Sequence, residues 1–183
     1  MQHYEVGRNN FLISDDKLKI DSNVVHNYLC NESYWATNIP LQVVETSIQH
    51  SICFGLYKID EQTKSIKQQI GFARVITDCA TFGHLADVFI VEEYRGKGLS
   101  KWLMEIILAH PHLQNFRRWL LATLDAHGLY QQFGFLPITN PERYMRLTVV
   151  ENYGTNLTST CFFNEVGHRH VITLTVVQWD CCI

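Results

Sequence analysis

The chain has no apolar stretch long enough to span a membrane. Its first ten residues, MQHYEVGRNN, contain no apolar signal core. An excess of positive charge is also absent. Fifteen Lys and Arg face eighteen Asp and Glu, for a net charge of −3, so no global basic field exists to hold nucleic acid. No two of the six cysteines (Cys30, Cys53, Cys79, Cys161, Cys181, Cys182) stand at C-x-x-C spacing, which removes the usual zinc pattern. The ending DCCI places Asp180 where a prenylated cysteine would stand. His168 and His170 form H-x-H without a third ligand, so no metal is expected. N-x-[ST] at Asn31 and Asn156 has no meaning without secretion. No repeat or low-complexity tract is present. These absences together predict a cytoplasmic protein with reduced cysteines and neither a membrane nor a nucleic-acid partner.

What remains is ordinary globular composition, 46% apolar and 18% charged, in a length that suits one domain with a full core. FLIS (11–14) reads as a strand. Asp21 and Ser22 can cap a helix through about Asn31, with Val24, Val25, Tyr28 and Leu29 on one face. NESYWATNIP is a loop, and Pro40 opens a second helix through about Gln49. Strands follow at 51–59, 69–77 and 83–91; DEQTKSIKQ is the loop between the first two. The third strand is almost continuously apolar, which predicts cover on both faces. Leu99, Trp102, Leu103, Ile106 and Ile107 stand at i, i+3, i+4, i+7 and i+8, a helix that Pro111 stops. A strand at 119–123, a short helix closed by Gly134 and a strand at 143–150 complete an α/β domain around a mixed sheet. HVITLTVVQW (170–179) is a further strand candidate.

Between the third of these strands and the long helix runs EYRGKGLS, residues 93–100. A helix N-terminus presents unpaired N–H groups and partial positive charge. Gly96 and Gly98 let a ligand approach that backbone, and Arg95, Lys97 and Lys101 add charge, so the turn suits an anion such as a pyrophosphate. A tight strand–helix turn with glycines for geometry alone would look the same. No G-x-x-x-x-G-K-[ST] string occurs, and Lys101 stands at the third glycine of a dinucleotide fingerprint, so both nucleotide readings fail.

The strand–EYRGKGLS–helix unit resembles motif A of the GCN5-related N-acetyltransferase (GNAT) superfamily, [QR]-x-x-G-x-[GA]. Arg95 and Gly98 match, and Ser100 replaces the small residue. ATLDAHGLYQQFGF resembles the same family's motif B: Ala126, Leu129, Tyr130, Gly134 and Phe135 match, whereas Thr123 and Gln132 replace an Asn and a Lys. NESYWATNIP, GFARVITD and RRWLLATLDAHGLY look like a bacterial-type subgroup of uncharacterised GNAT proteins. The resemblance implies a mixed, mostly antiparallel central sheet flanked by helices, with a splayed strand pair holding acetyl-CoA. It assigns 1–148 to the acetyltransferase domain. Residues 149–183 are left as a C-terminal extension that could form a β-hairpin and pair a sheet edge or a second subunit, giving a homodimer.

The resemblance also implies transfer of acetyl from acetyl-CoA to a primary amine of a small molecule, amino acid or peptide, by direct attack. A non-catalytic acyl-CoA-binding module on the same fold is the alternative. Backbone of Val88, Phe89 and Ile90 would pair with the pantetheine, one N–H of Val88 or Phe89 would polarise the thioester, and the amides from Gly96 through Leu99 and Ser100 to Lys101 would hold the pyrophosphate. Tyr130 matches the candidate general acid; packing is its other reading. Asp87, a carboxylate inside an apolar strand, is a candidate base or the partner of a structural ion pair with Arg74. His84 is a second candidate base by intrinsic pKa, with a solvated strand-end residue as its plainer reading, and the resemblance also allows deprotonation through water with no single base. Tyr34, Trp35, Phe82 and Tyr144 are candidate acceptor walls, with core packing as the plain alternative.

Overall fold

The computed structural model describes residues 3–148, Tyr153, and the backbone of residues 160–165 and 168–173. Strands β1 (Glu5–Arg8) and β2 (Phe11–Ser14) form a tight hairpin whose turn residue Asn9 takes φ 56°. Helices α1 (Ser22–Asn31) and α2 (Leu41–Gln49) follow, then β3 (Ile52–Ile59), β4 (Ile66–Thr77) and β5 (Phe82–Ile90). Helix α3 (Leu99–Ala109), β6 (Arg118–Leu120) and α4 (His127–Gln131) complete the main body. The six strands lie in sequence order, antiparallel throughout except for the parallel pair β5–β6. A separate antiparallel pair joins β7 (Thr160–Glu165) to β8 (His168–Thr173).

Helices cover both faces of the sheet. On one face Phe54, Leu56, Val75, Leu85 and Ile90 pack under Trp102, Leu103 and Ile107 of α3. On the other, Cys53, Phe72 and Phe89 meet Val25 and Leu29 of α1 and Val44 and Ile48 of α2. Each fully buried side chain of this size contributes about 1.5–3 kcal/mol over leaving it exposed. The Asp21 carboxylate accepts hydrogen bonds from the amides of Asn23 and Val24, which starts α1 where the cap was expected.

Two expected strands need correction, and one strand lies outside the expectations. β1 was not foreseen; its register on β2 is set by the two-residue turn rather than by a strong apolar pattern. The strand expected at 119–123 ends at Leu120, because β6 leaves β5 there. The strand expected at 143–150 is absent over its described part: Pro141–Arg143 form a 3-10 turn, and 144–148 join no ladder. Its alternation finds no core face, since Met145 is 99% and Leu147 88% exposed. Of the candidate at 170–179, the backbone to Thr173 is strand, and residues 174–179 lie outside the described residues.

Candidate active site

β5 is bulged in its middle. Phe72 pairs with Phe89 and Arg74 with Ala86, so Asp87 and Val88 together face the single residue Ala73. Asp87 takes φ 52°, a left-handed conformation that Asp tolerates better than most side chains. On its other edge β5 touches β6 over only three residues, Phe82 to His84 against Arg118 to Leu120. Beyond that ladder the two strands part and a cleft opens between them.

The direction of the β5 amides follows from one bond. Val91 N donates to Ile70 O, on the β4 side. Amides alternate along a strand, so Phe89 also faces β4 whereas Val88 and Ile90 face the cleft. Of the two candidate oxyanion donors, geometry therefore favours Val88.

The cleft has two compartments. One, of about 500 Å³, runs from Arg95, Gly96, Gly98, Leu99 and Ser100 along Val88–Ile90 to Leu129 and Tyr130. The other, of about 560 Å³, is lined by Trp35, Ile39, Arg74, His84, Asp87, Tyr153 and residues 121–126. Val88, Tyr130, Tyr34, Trp35, Asp125 and Ala126 line both.

At the first compartment's end, Gly98 (φ 73°) is the N-cap of α3, and no side chain caps the helix. Gly96 takes φ 75°. A Cβ on either glycine would meet no protein atom within 4 Å. The conformation demands glycine here, and the space above it is open to a ligand. The cations are less available than their number suggests. Arg95 donates through Nε to Ile90 O at 3.0 Å and through its terminal nitrogen to the Tyr28 hydroxyl at 3.0 Å. Lys97 folds back over the Tyr94 ring and donates to Glu93 O. Neither Lys97 nor Lys101 lines the compartment.

Tyr130 is buried, with its ring edge against Phe135 and no hydrogen bond to its hydroxyl among the described residues. Burial, reinforced by the nearby Tyr34 and Asp125, pushes its phenol up to about 12. The two motif departures have local roles. Thr123 Oγ1 accepts from Ala126 N at 3.0 Å just before α4, and Gln132 Nε2 donates to Gly128 O at 2.6 Å. Gly134 (φ 84°) ends the helix as anticipated, with Phe135 N reaching back to Tyr130 O.

Asp87 takes its structural reading. One carboxylate oxygen accepts from Arg74 Nε in a very short contact, and the other from Trp35 Nε1 at 3.1 Å, with the side chain 10% exposed. Both oxygens are therefore engaged by donors from other elements. His84, half-buried in the acceptor-side wall, has its pKa lowered, first by burial and then by the Arg74 charge. Tyr34 and Trp35 do wall the cleft: their rings meet edge to face at 5.0 Å, and Leu124 N donates to the Tyr34 hydroxyl at 2.9 Å. Phe82 and Tyr144 do not. Phe82 sits at the far end of β5, where its carbonyl accepts from Thr77 Oγ1, and Tyr144 stacks near Arg118. Sequence reasoning missed Asp125, an exposed carboxylate one residue before the motif alanine, and Tyr28, hidden in α1's apolar face. Among the described residues no cluster could hold a metal ion, and no helix is long and apolar enough to cross a membrane.

The uncapped helix N-terminus beside a bulged strand and a splayed parallel pair is the arrangement that the family resemblance implies. Comparison with known proteins agrees. Residues 52–137 match the family model described as "Acetyltransferase (GNAT) domain". A Gibberella zeae protein named "Putative acetyltransferase FG08082" is 31% identical over 144 residues, covering 67% of this chain and 77% of that one. A crystal structure from Xanthomonas campestris, of a "putative acetyltransferase belonging to the gnat family", is 44% identical with TM-score 0.74, over 81% of this chain and 100% of that chain. A Clostridium acetobutylicum "predicted acetyltransferase with acetyl-CoA" shares the fold at 12% identity and TM-score 0.57, over 76% and 96%. The chain belongs to the GNAT acetyltransferase family.

Proposed function

We propose that the protein transfers the acetyl group of acetyl-CoA directly to a primary amine. The observation that carries this reading is the pair Val88 and Tyr130, which border both compartments of the cleft. A cofactor whose pyrophosphate lies on the α3 N-terminus and whose pantetheine follows β5 brings its thioester to that junction. An amine in the second compartment then meets it.

The amine nitrogen attacks the thioester carbonyl, and Val88 N–H donates to the oxygen as negative charge develops. The C–S bond breaks and the electron pair leaves on sulfur. Tyr130 hydroxyl donates a hydrogen bond to the departing thiolate. With the buried phenol at about 12 and an ordinary thiol at about 8.5, complete proton transfer is uphill, so the hydroxyl acts first as a hydrogen-bond donor. The same burial raises the thiol's pKa in the cleft, which narrows the gap. His84, held neutral by its surroundings, takes the proton that the amine loses.

An acetyl-enzyme route is disfavoured. Among the described residues no cysteine lines either compartment, and burial pushes the Cys53 thiol up to about 12. Initial rates measured while varying acetyl-CoA and an accepted amine should give intersecting double-reciprocal lines. Parallel lines would mean a covalent intermediate and overturn direct attack.

A further inference from the structure

The acceptor-side compartment carries a charge pattern that selects among amines. Its cation, Arg74, is matched by Asp87. His84 in the same wall stays neutral near pH 7, because burial and Arg74 disfavour its charged form. Asp125 is exposed and forms no ion pair among the described residues. The wall therefore presents one uncompensated negative charge, and it lies where both compartments meet.

The rest of the wall is apolar in what it offers. Trp35 Nε1 is taken by Asp87 and the Tyr34 hydroxyl by Leu124 N. Their polar tips are satisfied, so ring faces and edges are left for a ligand. Trp35 is held in place by its bond yet remains 42% exposed, an available stacking surface. A volume of about 560 Å³ is that of a small-molecule site.

We propose that the acceptor is a small primary amine with a flat or aliphatic body and no anionic group, its ammonium received by Asp125 and its body by Tyr34 and Trp35. The inference rests on the acetyl-transfer reading. A carboxylate or phosphate on the acceptor would meet Asp125, and among the described residues no free cation in the wall offsets it. The bound ammonium loses one proton to solvent and presents a lone pair to the thioester, and His84 takes the second proton, the one released on attack.

The test is steady-state acetyl transfer, followed by thiol release, with 2-phenylethylamine and tryptamine against phenylalanine and O-phosphoethanolamine. Calorimetry with acetyl-CoA runs alongside. The amines without an anion should show kcat/KM about tenfold or more above the anionic ones. Asp125→Asn should raise KM for 2-phenylethylamine about tenfold, leave its kcat and acetyl-CoA affinity within about twofold, and shrink the preference over phenylalanine. Asp125 is exposed, so the variant should melt with the parent. Turnover of phenylalanine or O-phosphoethanolamine equal to that of the uncharged-body amines would overturn the inference and leave acetyl transfer standing. An unchanged KM in Asp125→Asn would remove Asp125 from recognition and overturn it too. Thiol release from none of the four, with acetyl-CoA still bound, would overturn both readings.

Discussion

His84 and Asp87 stand three residues apart on β5 in different surroundings. Asp87 is held between Arg74 and Trp35, whereas the His84 imidazole lines the acceptor side. Its folded pKa lies below the usual 6.5, so the unfolded chain binds more protons below that value. Its contribution to stability is present above pH 6.5 and is lost as pH falls below it. The same shift keeps the base form populated at neutral pH. We expect kcat to fall on the acid side with a midpoint below 6.5, and His84→Gln to lower kcat about 10²-fold and erase that inflection. An unaltered profile would assign deprotonation to solvent. Tyr130→Phe tests the other end of the reaction. It keeps the ring and removes a hydroxyl that has no hydrogen bond to lose among the described residues. kcat should drop about 10²-fold or more with acetyl-CoA affinity nearly unchanged, because the bond forms only as the thiolate departs. A lower melting temperature with normal kcat would make Tyr130 a packing residue instead.

At the scale of elements, the turn before α3 was legible because two signals coincide: glycines at 96 and 98, and apolar residues at helical spacing from Leu99. Its counterpart on β5 was legible only in part. The sequence shows a carboxylate inside an apolar run; it does not show that Asp87 occupies a bulge with φ 52° and that both oxygens are consumed there. The choice between base and ion pair needed those partners. Residues 144–148 misled for a physical reason, since alternation records a strand only when something covers the apolar side. Tyr34 and Trp35 were readable as exposed aromatics in a loop, but Asp125 has no pattern to announce it. The α3 turn also yields a prediction. Gly98→Val places a branched side chain at φ 73°, costing about 1–3 kcal/mol in strain. It also fills the open space above the helix amides, where no protein atom lies within 4 Å. Chemical denaturation should show the modest loss and calorimetry should show acetyl-CoA binding abolished. A folded variant with parental affinity would put the phosphates elsewhere.

At the scale of the molecule, the sheet is held unevenly. β3, β4 and β5 pair over most of their lengths, whereas β6 hangs on β5 by three residues, and the segment 121–126 beyond it forms no ladder. Direct bridges across the cleft are few. Leu124 N to the Tyr34 hydroxyl is one, joining the far wall to the loop after α1. A ligand lying in the cleft touches α3, β5 and the 121–130 segment at once, so it acts as the missing cross-link. Acetyl-CoA at about 100 times its Kd should therefore raise stability by about 2.7 kcal/mol, visible as a higher melting temperature. ATP and NAD should do nothing comparable, since neither a Walker loop nor a dinucleotide turn is present. The gain should also be local. Hydrogen exchange should slow most in residues 118–130 and in the α3 N-terminal turn, because the least-paired backbone has the most to gain from a bridging ligand. Stabilisation by ATP in place of acetyl-CoA would reverse the ligand assignment. Acetyl-CoA protection centred on the groove between Asn23 and Gln68 instead would move the cofactor to the space beside α1 at the end of the β4–β5 pair.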